Sequence, residues 1–269
     1  MDTNDDGLER FAAHGAPPLP ASAEAGHVEH DGARIWFATV GAGPPVVLLH
    51  GGFGHSGNWG HQVPALQASG RRTILIDSRG HGRSTRDTRS YSYETMASDA
   101  LAVLDALRLP KAALIGWSDG ACTALVMARR AAERVSGVFF FACNMDPSGV
   151  RPDITPSATL QRCFGRHATD YARLSTTPDD FKSFAAAVQL MQKTQPDYSA
   201  RDLAEIRVPV AIVQGEHEEF IKPEHAAHLS RSIAGAELVL LPEVSHFAPL
   251  QRPRVFNDSM LRFLDRIGS

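Results

Sequence analysis

The 269-residue chain is poor in cysteine, carries little excess charge of either sign and has no long apolar run, and each shortage excludes something. Its cysteines are three, Cys122, Cys143 and Cys163. They are too few and too scattered for a disulfide framework, and no C-x-x-C pair offers a zinc or dithiol redox motif, so they read as reduced, mostly buried small residues. Lys and Arg number 27 against 30 for Asp and Glu, a formal net charge of -3. No basic footprint exists for a phosphate backbone, so nucleic acid is not expected as a partner. No apolar run approaches the ~18 residues of a membrane span, and residues 1–10 have neither the basic nor the apolar region of a secretion signal. The expectation is a cytoplasmic protein without a membrane partner. What the chain does have is 43% hydrophobic and 21% charged residues, enough apolar side chain for one sizeable α/β core.

Residues 1–26 mix charge with Ala, Pro and Gly, show no period and read as an N-terminal extension to which no function is assigned; the folded domain is expected over 27–269. Asp31-Gly32 lies between two extended runs and predicts an antiparallel hairpin. Short apolar runs without alternation then recur at 46–49, 73–76, 112–115, 137–142, 208–213 and 238–241, the pattern of strands buried on both faces of a sheet. Helical spacing lies between them, as in Met96, Ala100, Leu101, Leu104 and Leu107. Alternating strand and helix predict right-handed crossovers, hence a mostly parallel sheet with helices on both faces. The interval 146–205 breaks the rhythm with polar residues, Pro and short helical patterns such as 181–192, and is expected to form a small helical cap.

The stretch most informative about chemistry is Gly116-Trp117-Ser118-Asp119-Gly120, which joins a buried strand to a helix over 121–130. Small flanking residues permit a sharp turn that lifts the serine hydroxyl out of the sheet at a helix N-terminus. A neutral serine needs a positioned base, itself oriented by a carboxylate. An acidic run, Glu216-His217-Glu218-Glu219, follows the 208–213 strand, and His246 follows the next. Loops after parallel strands gather at one sheet edge, so Ser118, an acid near 218 and His246 can converge across the sequence.

With these motifs the chain resembles the α/β-hydrolase superfamily from about residue 28 onward. His50-Gly51-Gly52 resembles that family's oxyanion loop, the segment Asp77 to Ser84 its loop after the following strand, and Gly116 to Gly120 its nucleophile elbow. The resemblance implies Ser118 as nucleophile, His246 as general base and then acid, and the residue at 218 as orienting carboxylate. It implies an oxyanion site made by the backbone N–H of Asp119 and one from Gly52 or Phe53. The family's usual acid is an aspartate at the third residue after the glycine, whereas this chain has Glu218 there. Glu218 is ranked first, Glu219 second, and Asp146 third because some members draw the acid from the preceding strand end. Phe53, Trp59, Trp117, Met145 and Phe247 neighbour these groups in sequence and are the expected walls of a substrate pocket.

Other patterns compete. Gly52-Phe53-Gly54-His55-Ser56-Gly57 satisfies G-x-G-x-x-G with Asp77 some 25 residues on, but His50 and Gly51 intervene before the first glycine, so no dinucleotide or other cofactor is expected. Glu216, His217, Glu224, His225 and His228 concentrate metal-ligand types without H-E-x-x-H; His225 and His228 read as one face of an exposed helix, and no metal is expected. Cys122 reads as a packing residue rather than a second nucleophile, and His81 as ordering its loop. The expected activity is cofactor-independent hydrolysis of a small to medium ester or lactone through an acyl-enzyme. Carbon-carbon bond hydrolysis or perhydrolysis by the same three residues, and non-catalytic ligand binding, stand as alternatives. Serine at 118 argues against dehalogenase or epoxide-hydrolase chemistry, which uses aspartate. The expected partner is a small molecule, with homo-oligomerisation left open.

Overall fold

The computed structural model describes residues 6–268. Eight strands, β1 (Glu24–His30), β2 (Ala33–Val40), β3 (Pro45–Leu49), β4 (Arg72–Ile76), β5 (Ala112–Trp117), β6 (Val135–Phe141), β7 (Val210–Gly215) and β8 (Glu237–Leu241), form one sheet in the order β1-β2-β4-β3-β5-β6-β7-β8. The β1 and β2 hairpin is antiparallel and β2 meets β4 antiparallel, while β3 to β8 run parallel. The helices are α1 (Asp6–His14), α2 (Gln62–Ala68), α3 (Tyr93–Ala106), α4 (Asp119–Arg130), α5 (Ala158–Leu174), α6 (Phe181–Thr194), α7 (Ala200–Ala204), α8 (Pro223–Ser232), α9 (Ala248–Gln251) and α10 (Pro253–Arg266).

The strands carry apolar side chains on both faces, and their period of two divides the core into two layers. Val47 and Leu49 of β3 join Met96, Leu104 and Leu125 on one side, whereas Val46 and Leu48 join Trp59, Leu66 and Phe256 on the other. This is an α/β-hydrolase fold with the mostly parallel, helix-flanked sheet that the alternation of runs predicts.

Two expectations need correction. The first concerns the bound between extension and domain: β1 already begins at Glu24, and residues 6–14 form α1, while residues 1–5 lie outside the described residues. Leu8 and Phe11 sit one helical turn apart and are each only 2% exposed, packed with Leu160 and Cys163 of α5. A helix this short draws its stability from such packing, which local sequence does not display. The second concerns 238–241. β8 is an edge strand in which Leu238 and Leu240 are 50% and 64% exposed, so it is covered on one face only.

The 146–205 interval folds without strands into two short 3-10 turns, at Pro147–Gly149 and Pro178–Asp180, and the helices α5, α6 and α7. α5 is tied to the loop after β3 by Asp170, whose carboxylate lies 3.5 Å from His55 Nε2 and is also paired with Arg166. α6 is tied to the start of α4 by Gln192, whose amide donates to both oxygens of Asp119 at 3.0 and 3.1 Å.

Candidate active site

Because β3 to β8 run parallel, their C-terminal ends open on one edge, and the register pairs Leu49 with Gly116, Trp117 with Phe141, Phe141 with Val213 and Gly215 with Leu241. The loops bearing residues 51–53, 118, 143–144, 218–221 and 246–247 therefore meet around one cavity of about 500 Å³. The site lies where β3 pairs β4 on one side and β5 on the other, the switch point at which adjacent loops diverge and leave a crevice.

Ser118 is the residue between β5 and α4, and its backbone is at φ 54° and ψ -124°. A non-glycine residue in that region is strained by about 1–3 kcal/mol and is held only by its surroundings. Here the Ser118 N–H donates to Phe141 O at 2.9 Å, and its carbonyl accepts from Ala121 N at 2.7 Å. The turn can be this tight because both flanking glycines lack a Cβ: one built on Gly120 would lie 2.0 Å from Leu49 O, and one on Gly116 would lie 2.4 Å from Ala121 Cα. The side chain of Ser118 faces the cavity at the positive end of α4, where Asp119 N–H has no partner within the helix.

On the opposite loop Phe53 also has a left-handed backbone, φ 63°, which turns the chain after His50-Gly51-Gly52 over the cavity. The loop is braced from behind. His50 Nε2 accepts from Ser78 N at 3.0 Å while its Nδ1 donates to Gly51 O at 2.8 Å, and burial holds this imidazole neutral with its pKa lowered to about 4. Asp77 accepts from Ser56 N at 2.7 Å and from Arg83 N at 2.9 Å, so the carboxylate that completes the dinucleotide-like pattern is taken up in holding the loop. His81 orders the neighbouring turn through a 2.9 Å contact with Arg79 O.

Three carboxylates compete for His246, and the structure brings Glu218 to its ring. Glu218 Oε1 accepts from His246 Nδ1 at 2.8 Å, and also from Phe220 N at 3.0 Å and Ile221 N at 3.3 Å. Glu219 instead accepts the backbone N–H of His246 at 2.8 Å. Asp146 caps the 3-10 turn through Ser148 N and faces His225 at 3.6 Å. The extra methylene of glutamate is accommodated because the Glu218 carboxylate folds back onto the amides of its own loop. Burial alone would lower the pKa of His246, but the charge and hydrogen bond of Glu218, with Glu219 and Asp119 behind it, outweigh burial and raise it above the ordinary 6.5. His246 and Ser118 line the same cavity.

Of the expected pocket walls, Phe53, Trp117 and Phe247 line the cavity, and Trp59 and Met145 do not. Trp59 is fully buried behind the sheet edge, its ring packed on Trp117 and Phe256 at 6.1 Å each. Met145 is turned into the core by the bend after β6, its N–H donating to His225 Nε2 at 3.0 Å. That bond corrects the reading of His225 as exposed: the ring is an internal acceptor, and His228 is half-buried beside it. Trp59→Ala is accordingly expected to cost about 3–5 kcal/mol of stability in a denaturant titration, the penalty of a core cavity.

Cavity residues not anticipated from sequence come mainly from the 146–205 segment. Phe164 and His167 lie one turn apart on α5 and close over Phe247, with Phe164 edge-on at 5.9 Å and His167 stacked at 6.1 Å. Their i, i+3 spacing was the available signal. Phe220, in the loop already marked by Glu218, packs edge-on against the His246 ring at 4.7 Å. Against this aromatic side stands a polar one: Tyr93 donates to Asp119 at 2.9 Å beside Gln192. Burial lifts the Asp119 carboxyl to about 6 despite those two donors and the nearby His246.

Residues 44–161 match the family described as the α/β-hydrolase fold, in keeping with the sheet order and helix placement of the chain. It is 29% identical to a 2-hydroxy-6-oxononadienedioate/2-hydroxy-6-oxononatrienedioate hydrolase of Escherichia coli over 87% of this chain and 91% of that one. It is 28% identical to the dihydrolipoyllysine-residue acetyltransferase component of the acetoin cleaving system of Pseudomonas putida, over 92% of this chain and 70% of that one. Among solved structures, Est816, described as an N-acyl homoserine lactone degrading enzyme, superposes with a TM-score of 0.76 at 26% identity, covering 88% of this chain and 100% of that one. Among the described residues no helix is long and apolar enough to cross a membrane.

Proposed function

We propose that the protein is a cofactor-independent serine hydrolase that cleaves a small to medium carboxylic ester or lactone through an acyl-enzyme. The observation that carries this reading is the placement of a left-handed Ser118 at a helix N-terminus in one cavity with His246, whose Nδ1–H is held by buried Glu218 at 2.8 Å. With Nδ1 protonated, the base is Nε2. As Ser118 Oγ bonds to the carbonyl carbon, Nε2 takes its proton. The oxyanion is met by the N–H of Asp119 and one from Phe53 or Gly52, and collapse breaks the bond to the alcohol, which leaves with the proton from His246. Water, deprotonated by the same nitrogen, then releases the acid. In a lactone the alcohol stays attached to the acyl group. The cavity walls, aromatic on one side and amide- and carboxyl-bearing on the other, suit an acyl chain joined to a polar group, and segment 146–205 acts as the cap over them.

The likeness to Est816 supports the lactone reading, and the Escherichia coli relative supports carbon-carbon bond hydrolysis by the same three residues as a second. Labelling with a fluorophosphonate, mapped by peptide mass, tests the shared step: label at Ser118 alone, and loss of p-nitrophenyl ester and lactone turnover in Ser118→Ala, are the expected results. Tight ligand binding with turnover near zero and no label would favour a non-catalytic binding protein on this fold.

The pH profile carries its own expectation. Only neutral His246 can accept the serine proton, and its pKa is raised, so kcat/KM should fall as pH drops, with a midpoint above 6.5. Because the negative charge of Asp119 helps to raise that pKa, Asp119→Asn should move the acid limb to lower pH. An unmoved limb would remove Asp119 from the account.

A further inference from the structure

Cys122 and Cys143 are both buried free thiols, and their sulfurs lie 2.8 Å apart. Cys122 stands on α4 four residues after Ser118, and Cys143 follows β6 by two. The bond from Ser118 N to Phe141 O holds these two segments side by side. A disulfide needs about 2.05 Å between sulfurs, so the separation has to shorten by less than an ångström. The two thiols are not equivalent. Cys143 lines the cavity, whereas Cys122 is completely buried behind it and also donates to Asn144 O at 3.0 Å.

We propose that Cys122 and Cys143 form a redox modification site, converted to a disulfide by a hydroperoxide that enters the cavity and reacts first at Cys143. The Cys143 sulfur, its proton released, attacks one peroxide oxygen. The O–O bond breaks, leaving Cys143 as a sulfenic acid and, after proton transfer, one water, or an alcohol from an organic hydroperoxide. The Cys122 sulfur then attacks that of Cys143. The S–O bond breaks, and the hydroxide leaves with the Cys122 proton as water. Two thiols thus lose two electrons and two protons, and the peroxide gains both. Burial pushes the Cys122 thiol well above its ordinary pKa, so it is not the sulfur that meets oxidant first, and its part in the second step rests on lying 2.8 Å from the Cys143 sulfur. The product ties the first turns of α4 to the exit of β6 and removes the contact from Cys122 to Asn144, a cavity residue.

The test is to treat the full-length protein with hydrogen peroxide, block remaining thiols with iodoacetamide under denaturing conditions, and map peptides without reduction. The expected result is a linked peptide joining Cys122 to Cys143, loss of both from the alkylated set with Cys163 retained, and reversal by dithiothreitol. In Cys122→Ala the linked peptide should vanish and Cys143 should be trapped as sulfenic acid by dimedone. A wild-type Cys143 that stays alkylatable, or that proceeds to sulfinic acid with no linked peptide, overturns the proposal. The crosslink does not depend on the hydrolase reading. Absence of fluorophosphonate label at Ser118 in the reduced protein would overturn that reading, while the linked peptide alone decides this one.

Discussion

Glu218→Ala is expected to lower kcat by roughly 10³- to 10⁴-fold while leaving the protein folded, the scale of losing the group that orients a catalytic imidazole. The reason is geometric. His246 is only 8% exposed and its Nδ1–H has one acceptor, Glu218 Oε1 at 2.8 Å. Without it, the ring is free to turn or to adopt the tautomer that presents a hydrogen, rather than a lone pair, to Ser118. The loss of the acceptor for Phe220 N and Ile221 N should cost about 1–3 kcal/mol of stability as well, so circular dichroism and a denaturant midpoint must accompany the kinetics. Glu219→Gln is the comparison. Its remaining carbonyl oxygen can still accept the backbone N–H of His246, and the effect on kcat should stay within about tenfold. Asp146→Asn should likewise preserve the cap on Ser148 N. If Asp146→Asn abolished turnover while Glu218→Ala kept it, the assignment of the acid would be wrong.

The largest expected effect on stability is at the glycines around Ser118. A Cβ at residue 120 would sit 2.0 Å from Leu49 O and 2.7 Å from His50 O, both backbone atoms at the end of β3. No flexible side-chain end can give way there, so Gly120→Ala must push α4 off the sheet. A cost above about 4 kcal/mol is expected, seen as loss of folded yield or a collapse of the denaturant midpoint. Gly116→Ala, with Ala121 Cα at 2.4 Å, should behave the same way. Gly165 on α5 supplies the contrast: it is exposed, has open space around its Cβ position and lies in mid-helix, so Gly165→Ala should raise stability by about 0.5–1 kcal/mol. Equal behaviour of Gly120→Ala and Gly165→Ala would show that close packing at the turn is not what requires glycine.

The sheet was legible in the sequence because its strands are buried on both faces, so composition alone marks them, and because order along the chain limits how alternating strands and helices can wind. Leu49, Ile115, Val213 and Leu241 close such runs, and the chain positions a few residues beyond them pointed to 52–53, 118, 218 and 246 as one neighbourhood. The exposed Leu238 and Leu240 show the limit of that reading, since a run of apolar residues does not reveal whether a second layer exists to cover it. α1 was illegible for a related reason: it acquires its packing partners from α5 and α9, some 150 and 240 residues away.

By itself, then, the sequence determined the fold class and the cluster of loops that carries the candidate chemistry, because strand burial and strand order are written in local composition. Which carboxylate meets His246 was decided by tertiary structure. Glu218, Glu219 and Asp146 are the same functional group at acceptable distances along the chain, and only the path of the backbone beyond β7 turns Glu218 to the ring and Glu219 to the amide. The same holds for the cavity wall. Trp59 and Met145 neighbour the site in sequence yet face the core, while Phe164, His167 and Gln192 reach it from helices far along the chain, because side-chain direction follows from how the backbone bends and packs, not from separation in sequence.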